Sequence, residues 1–361
     1  MPVTLPVTPP VKPMLAKAVK EIPPDRFYEP KWDGFRSIVF VDGDEVVLGS
    51  RNERPLTRYF PELVAQFARQ FKMPCVLDGE IVVPGEGRRR LEFEWLQQRI
   101  HPAASRVNLL SEQTPAEFVA FDLLAIGEEN LMDTPLAERR ARLVELMKGI
   151  ESPIHLTPLT DDITVARGWF DEWEGAGLDG IIAKDPASAY QPDKRVMAKI
   201  KHTRTADCVV AGYRTHKNDD EAIGSLLLGL YETDGSLSSI GVIGAFPAKR
   251  RKELYAELQP LVTDFENHPW SWAGEVAVTE GGARSPRKAE GSRWNNGKDL
   301  GFTPLRPELV VEITYDYLEG RRLRHTGQFS RWRPDRDPES CTFDQLDVPS
   351  TFDLNEILPA P

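Results

Sequence analysis

Tyr28-Glu29-Pro30-Lys31-Trp32-Asp33-Gly34-Phe35-Arg36 is the stretch on which the reading of this chain turns. Lysine, aspartate, glycine and arginine at these offsets arise by chance at roughly 10⁻⁵ per starting position from average residue frequencies. A lysine is a nucleophile only as the neutral amine, and an ordinary pKa of about 10.4 forbids that near neutrality. Neighbouring cations or a bound metal must favour the uncharged form. Gly34 admits the close backbone approach that an enclosed loop needs. Taken alone, the motif has a plainer alternative, a surface turn whose Lys31 and Arg36 are solvated.

The flanks supply more groups of the same kind. Arg36–Val41 and Val46–Ser50 enclose Asp42-Gly43-Asp44, which predicts a hairpin leading away from Lys31. In Leu77-Asp78-Gly79-Glu80-Ile81-Val82 the two-residue period of a strand puts Asp78 and Glu80 on one face. Two carboxylates in an apolar strand are costly unless a cation or a metal satisfies them. Phe118-Val119-Ala120-Phe121-Asp122 is another apolar strand ending in an aromatic and an acid, and Asp179-Gly180-Ile181-Ile182-Ala183-Lys184 opens on an acid and closes on a lysine. Lys199-Ile200-Lys201 presents both lysines on one face, with Arg195 nearby. Each feature alone is more often structural. Together they are what nucleotidyl transfer requires: cations for polyphosphate, carboxylates for a divalent metal, and an amine to attack in line.

Periodicity completes the organisation. Arg58–Phe71 spaces Phe60, Leu63, Val64, Phe67 and Phe71 along one helical face, and helices are also predicted over Pro135–Lys148 and Ile163–Gly175. Cys75–Val83 and Glu117–Ile126 read as buried strands. Beyond Lys201 the texture changes to short strands at Asp207–Thr215, Ser225–Thr233, Leu237–Phe246, Glu275–Thr279 and Glu308–Asp316, with one helix over Pro247–Leu261. That pattern predicts a small barrel. The polar stretch His202–Thr205 marks the boundary, giving domains of 1–203 and 204–361.

The ordered set KWDGFR (31–36), Ser50-Arg51, LDGEIV (77–82), FVAFDLL (118–124), DGIIAK (179–184), KIK (199–201) and RWRPDR (331–336) resembles the motifs of ATP-dependent DNA ligases. The nearest resemblance is to the stand-alone bacterial ligases of the C type. It implies an α+β chain: a nucleotidyltransferase (ATP-grasp-like ligase adenylation) domain, then a β-barrel OB-fold domain. It implies ATP and a divalent metal, Mg²⁺ or Mn²⁺, as cofactors, and nicked double-stranded DNA as the partner of a monomer. Lys31 would carry the AMP. Glu29 would lie against the adenine and Phe121 would stack on it. Arg36 and Arg51 would hold ribose and phosphates, or later the 5′-phosphate of the nick. Glu80 would contact the ribose, and Glu80 with Asp179 would position metal. Lys199 and Lys201 would neutralise the α-phosphate, supported by Arg195 and Lys184. Arg333, Asp335 and Arg336 would orient pyrophosphate in the first step. The chain departs from the family pattern at Asp179, where a glutamate is frequent, at Met197, where a tryptophan is frequent, and at Pro334 and Arg336, which replace an acid and a lysine. Domain rotation between steps, and service in DNA repair, are further expectations.

Composition sets limits on this reading. The 361 residues carry a formal net charge of −11, which does not by itself suit DNA. Yet residues 195–217 hold six Lys/Arg against the single acid Asp207, and residues 284–336 hold twelve against seven. Such local patches make salt-dependent phosphate contacts. Gly281–Lys288 reads as a basic clamp and Leu96-Gln97-Gln98-Arg99 as a short helix that meets the duplex. Lys31 lies too near the start for an extra N-terminal DNA-binding domain. No apolar run approaches the ~20 residues of a membrane span. Three scattered cysteines, Cys75, Cys208 and Cys341, fit a cytoplasmic protein and supply no zinc module, which argues against an NAD-dependent ligase. An RNA ligase, a GTP-using capping enzyme and a non-catalytic DNA-binding module are the rival readings.

Overall fold

Gly43 takes φ +62°, a conformation that suits glycine, and the chain there reverses so that Phe35–Asp42 and Glu45–Ser50 pair antiparallel from Ser37↔Ser50 to Asp42↔Glu45. The computed structural model describes residues 5–271, 273, 301–316, 318–346 and 352–359. They fall into two compact units, Met1–Lys201 with Pro349–Pro361, and His202–Val348. The closing segment, assigned above to the barrel domain, belongs instead to the first unit, because Leu354, Ile357 and Leu358 bury themselves there.

In chain order the strands of the first unit are β1 (Leu15–Ala18), β2 (Phe27–Pro30), β3 (Phe35–Asp42), β4 (Glu45–Ser50), β5 (Cys75–Val82), β6 (Glu117–Ile126), β7 (Glu129–Asn130), β8 (Ile154–Leu156), β9 (Ile181–Lys184) and β10 (Arg195–Ile200). Its helices are α1 (Pro61–Gln70), α2 (Phe93–Gln98), α3 (Ala104–Gln113), α4 (Leu136–Leu146) and α5 (Ile163–Glu172). One sheet runs β4-β3-β5-β6-β7 with β8 parallel to β6; the other runs β1-β10-β9-β2.

The larger sheet is covered on both faces. On one, Phe60, Leu63, Phe67 and Phe71 pack with Leu48, Leu77 and Phe118, and the Phe67 and Phe118 rings meet edge-on at 5.2 Å. Burying each such aromatic contributes about 1.5–3 kcal/mol. On the other, Ile38, Phe40, Val76 and Leu124 pack with Met14, Tyr190 and Met197, which come from around the smaller sheet. Two-sided burial explains the continuous apolar run of β6, where nine of ten residues are buried. The junction of the two sheets is where the polar residues of the motifs collect.

The second unit comprises β11 (Arg204–His216), β12 (Asp219–Tyr231), β13 (Leu237–Ile243), α6 (Ala248–Leu258), β14 (Thr303–Tyr315), β15 (Leu318–Glu319), β16 (Arg322–Leu323) and β17 (Gln328–Trp332). Its main sheet runs β13-β12-β11-β14-β17, antiparallel throughout. Ile243 bridges Gly327 in parallel, and the Gly327 amide donates to the Val242 carbonyl at 2.9 Å. This single bridge brings the start of β17 against the end of β13, so the five strands curl round into a barrel. Val209, Leu226, Leu228, Val311 and Ile313 fill it together with Trp270, and Leu254 and Leu258 of α6 belong to the same core. The strand expected at Glu275–Thr279 and the basic clamp at Gly281–Lys288 lie outside the described residues.

Candidate active site

The Lys31 loop is held by its backbone. The Lys31 amide donates to the Gly180 carbonyl at 2.8 Å, and the Asp179 amide donates back to the Lys31 carbonyl at 2.9 Å. Two glycines make this close packing feasible. A Cβ on Gly34 would fall 2.1 Å from the Ile81 carbonyl oxygen, and one on Gly180, at φ +110°, would fall 2.0 Å from that of Ile200. The Lys31 ammonium donates to Asp179 Oδ2 at 2.7 Å, and Lys201 Nζ reaches the same oxygen at 2.8 Å. One carboxylate oxygen therefore serves two lysines. Despite burial, these two cations hold the Asp179 carboxyl below its usual range.

Above this pair lies a cleft of about 200 Å³ at the junction of the sheets. Lys31, Arg36, Arg51, Lys184, Arg195 and Lys199 line it, six cations against the two carboxylates Glu29 and Glu80. The excess of positive charge suits a polyphosphate. Phe121 and Met197 also line it. Lys199 has no carboxylate within ion-pair distance among the described residues; partial burial first, then Lys201 and Lys31, draw its pKa down. Burial likewise pushes the Glu80 carboxyl up to about 7, opposed by Arg36 and Lys31.

Glu29 and Lys184 are diagonal neighbours on β2 and β9, where Glu29 pairs with Ile182 and Lys184 with Phe27, and Nζ lies 2.6 Å from Oε2. Glu29 Oε1 is buried and has no hydrogen-bond partner among the described residues. Arg36 grips Asp78 with Nε and Nη2, both at 2.5 Å, and Tyr190 donates its hydroxyl to Asp78 Oδ2 at 2.6 Å. The Arg36 guanidinium carbon stands 4.3 Å from the Phe121 ring centroid, and Lys184 Nζ stands 4.7 Å from it.

Nine of the residues expected from the sequence thus converge on one cleft, with Lys201 and Asp179 tied to Lys31 beside it. Arg333, Asp335 and Arg336 lie on the second unit. There Arg333 Nη1 binds both oxygens of Asp207 at 3.0 and 2.9 Å, and its Nη2 binds Asp335 at 2.9 Å. Arg333 holds the exposed Asp335 carboxyl down at about 2. One expectation is overturned: Arg99 does not face a duplex. It is fully buried, paired with both oxygens of Glu62 at 2.7 and 3.0 Å and donating to the Tyr59 and Thr114 carbonyls. Its helical neighbours Gln97 and Gln98 are exposed.

Sequence reading missed the role of Asp78 as the anchor of Arg36, and Tyr190 entirely. The available signal was the acid itself, one of two carboxylates on an otherwise apolar strand. Arg140 was missed too; it donates to the Thr157 carbonyl at 2.6 Å and feels the charge of Glu29. No group of three or more His, Cys, Asp or Glu is arranged for a metal among the described residues. Glu80 is the acid left for one in the cleft, since Asp179 is engaged by two lysines. That donor set fits Mg²⁺ held chiefly by phosphates and water, its ordinary mode in nucleotide sites.

A lysine-bearing cleft between two sheets, followed by a five-stranded barrel, defines a nucleotidyltransferase domain with an OB-fold domain, α+β in class. Comparison with known proteins narrows this. Residues 11–201 match the family model of the ATP dependent DNA ligase domain, and residues 219–336 match that of the ATP dependent DNA ligase C terminal region. The chain is 62% identical over 359 residues to DNA ligase C of Mycobacterium tuberculosis, covering 98% of this chain and 99% of that one. It is also 62% identical to DNA ligase C2 of Mycolicibacterium smegmatis, covering 96% of each. Among solved structures, a Lig E DNA ligase shares the fold with a TM-score of 0.54 at 15% identity, over 89% of this chain and 99% of that one. The chain belongs to the ATP-dependent DNA ligase family, and it is similar to the bacterial C-type members.

Proposed function

We propose that this protein seals nicks in duplex DNA with ATP, by way of an AMP carried on Lys31. In the first step the neutral Lys31 amine attacks the α-phosphorus of ATP. The N–P bond forms, the α–β bridging P–O bond breaks, pyrophosphate leaves, and the amine gives up a proton. In the second, the 5′-phosphate of the nick displaces Lys31 and takes the AMP. In the third, the 3′-hydroxyl attacks that phosphate, loses its proton and expels AMP.

The observation that carries the reading is the excess of six cations, Lys31 among them, over two carboxylates in the lining of one cleft. Arg36, Arg51, Arg195 and Lys199 hold phosphate charge there, and Lys201 does so once it leaves Asp179. Glu29 Oε1, buried and without a donor among the described residues, matches the exocyclic amino group of adenine, whereas the guanine O6 would meet it as a second acceptor. Phe121 supplies an apolar face for the base. Glu80 would contact the ribose and is the cleft residue that would help to hold a divalent cation. When bound, that cation polarises the phosphates and offsets the charge of the leaving group. Arg333, Asp335 and Arg336 orient the pyrophosphate.

The chain works as a monomer in the cytoplasm, where a reducing medium suits three free, buried cysteines. No helix among the described residues is long and apolar enough to cross a membrane. Intact-mass measurement after exposure to ATP and Mg²⁺ tests the proposal, followed by addition of nicked duplex. The expected result is one AMP gained and then lost as the nick closes, with no gain in Lys31→Ala. Labelling of that variant, or guanylylation in place of adenylylation, would refute it.

A further inference from the structure

We infer that the segment Phe352–Pro359 is a positioning element for the nucleophile, clamped beneath the Lys31 loop by Arg88. The inference rests on Lys31 being the adenylylated residue. Leu354 and Leu358 are fully buried and Ile357 is 8% exposed, so the segment is anchored and not merely adjacent. Their partners form one apolar cluster of Trp32, Val82, Leu91, Val119, Ala176 and Leu178.

Two of those partners matter more than the rest. Trp32 directly follows Lys31, and Leu178 directly precedes Asp179. The Lys31 and Asp179 backbones are hydrogen-bonded to one another, and their side chains form the central ion pair. The residues next to the nucleophile and next to its carboxylate therefore share a single apolar support, and the segment supplies part of it. Trp32 is fixed at its other functional point by an indole N–H donated to Thr157 Oγ1 at 2.9 Å.

Polar contacts lock the segment in register. Arg88 Nε donates to Asn355 Oδ1 at 2.8 Å and Nη2 to the Leu358 carbonyl at 2.9 Å. Arg88 is itself paired with the buried Glu117, which also meets His155 Nε2 at 2.9 Å. Asp353 caps the short turn Leu354–Glu356 through the Asn355 amide. None of these segment residues lines the cleft, though Trp32, which shares their cluster, does. Their main effect on chemistry thus runs through the placement of Lys31 next to Trp32, while ATP affinity stays chiefly with the charged cleft residues.

That separation gives the test. The rate of lysyl-AMP formation is measured by rapid quench over a range of labelled ATP with Mg²⁺, for the full chain and for a variant lacking residues 352–361, with circular dichroism confirming the fold. A misplaced nucleophile predicts a loss of about 10- to 100-fold in the maximal rate. The ATP KM should stay within about twofold, as uniform binding is untouched. A synthetic peptide of residues 352–361 added in trans should restore the rate. Should the deletion fail to fold, Leu354→Ala and Leu358→Ala serve, with a smaller rate loss at unchanged KM and recovery in Leu354→Met. An undiminished maximal rate, a defect confined to KM, or no recovery with the peptide or the conservative variant overturns the inference. Absence of any adduct on the full chain overturns the Lys31 reading, and this inference with it.

Discussion

Glu29 and Lys184 meet at 2.6 Å on adjacent strands, and the contact occupies only Oε2 of the carboxylate. The lysine thereby holds a buried acid turned so that Oε1 remains open as an acceptor. An ionised carboxylate accepts hydrogen bonds and donates none, so it rewards a base with an amino group at this point and penalises one with a carbonyl. Lys184 is in this sense part of the choice of nucleotide although its own charge is spent on Glu29.

Lys184→Met removes that partner. An uncompensated buried charge costs about 3–5 kcal/mol, and the Glu29 carboxyl loses the contact that orients it. We expect a lower melting temperature, a raised ATP KM and weaker discrimination between ATP and GTP. Competition labelling with the two nucleotides reads the last effect; unchanged preference would mean that Glu29 needs no help from Lys184.

Asp78→Asn tests the anchor of Arg36. Asp78 is fully buried and satisfies both Arg36 nitrogens and the Tyr190 hydroxyl. Losing the charge leaves a buried guanidinium uncompensated, again about 3–5 kcal/mol of stability by urea unfolding. Freed from its fork, Arg36 should also hold phosphate less well, and adenylylation should slow. A variant of normal stability would show that Arg36 finds another acceptor.

Glu80 gives the chain a pH dependence of known sign. Burial raises its carboxyl to about 7, above the ordinary value near 4.5, so the folded chain keeps a proton that the unfolded chain releases. Stability from this group is full below the unfolded value and is lost as pH rises through about 7. Glu80→Gln carries no such loss. Its melting temperature relative to the parent should therefore climb between about pH 5 and about pH 8. A difference that does not vary with pH would place the Glu80 pKa in the ordinary range.

Local signals carried most of the reading of the fold. Asp42-Gly43 announced its hairpin, the spacing of Phe60, Leu63, Phe67 and Phe71 announced α1, and the even run of short strands announced the barrel. The cleft was legible because its residues sit in short motifs whose chemistry is distinctive. Partnerships were not legible. Arg36 and Asp78 are 42 residues apart, and Tyr190 is 112 from Asp78, so nothing in the local pattern links them. The β11–β12 hairpin was overlooked because its turn at Lys217-Asn218 lacks glycine. The closing segment was misassigned because Leu354, Ile357 and Leu358 show a buried face without showing against what.

Arg333→Ala separates the steps of the reaction. Its partners Asp207 and Asp335 belong to the same unit, so the side chain is held ready without help from the cleft. If it orients pyrophosphate, lysyl-AMP formation falls by about 100- to 1,000-fold, the usual range for one transition-state contact. Sealing of DNA that already carries AMP on its 5′ end should proceed at the parental rate. A loss confined to the sealing assay would assign Arg333 to DNA binding instead.

Arg99 and its neighbours offer the sharpest contrast between burial and charge. A basic side chain on a short helix invites assignment to DNA, yet this one is enclosed, forked onto Glu62 and bonded to two backbone carbonyls. Phosphate cannot reach it without unpacking α2. Arg99→Ala should cost about 3–5 kcal/mol in urea unfolding, by stranding Glu62. At a temperature where the variant remains folded, its affinity for nicked duplex and the salt slope of that affinity should equal the parent's. Gln97→Lys, on the exposed side, should leave stability within about 0.5 kcal/mol. If α2 does border the DNA, that substitution raises affinity and steepens the salt slope by about one. A shallower salt slope in folded Arg99→Ala would show that the guanidinium does reach phosphate after all.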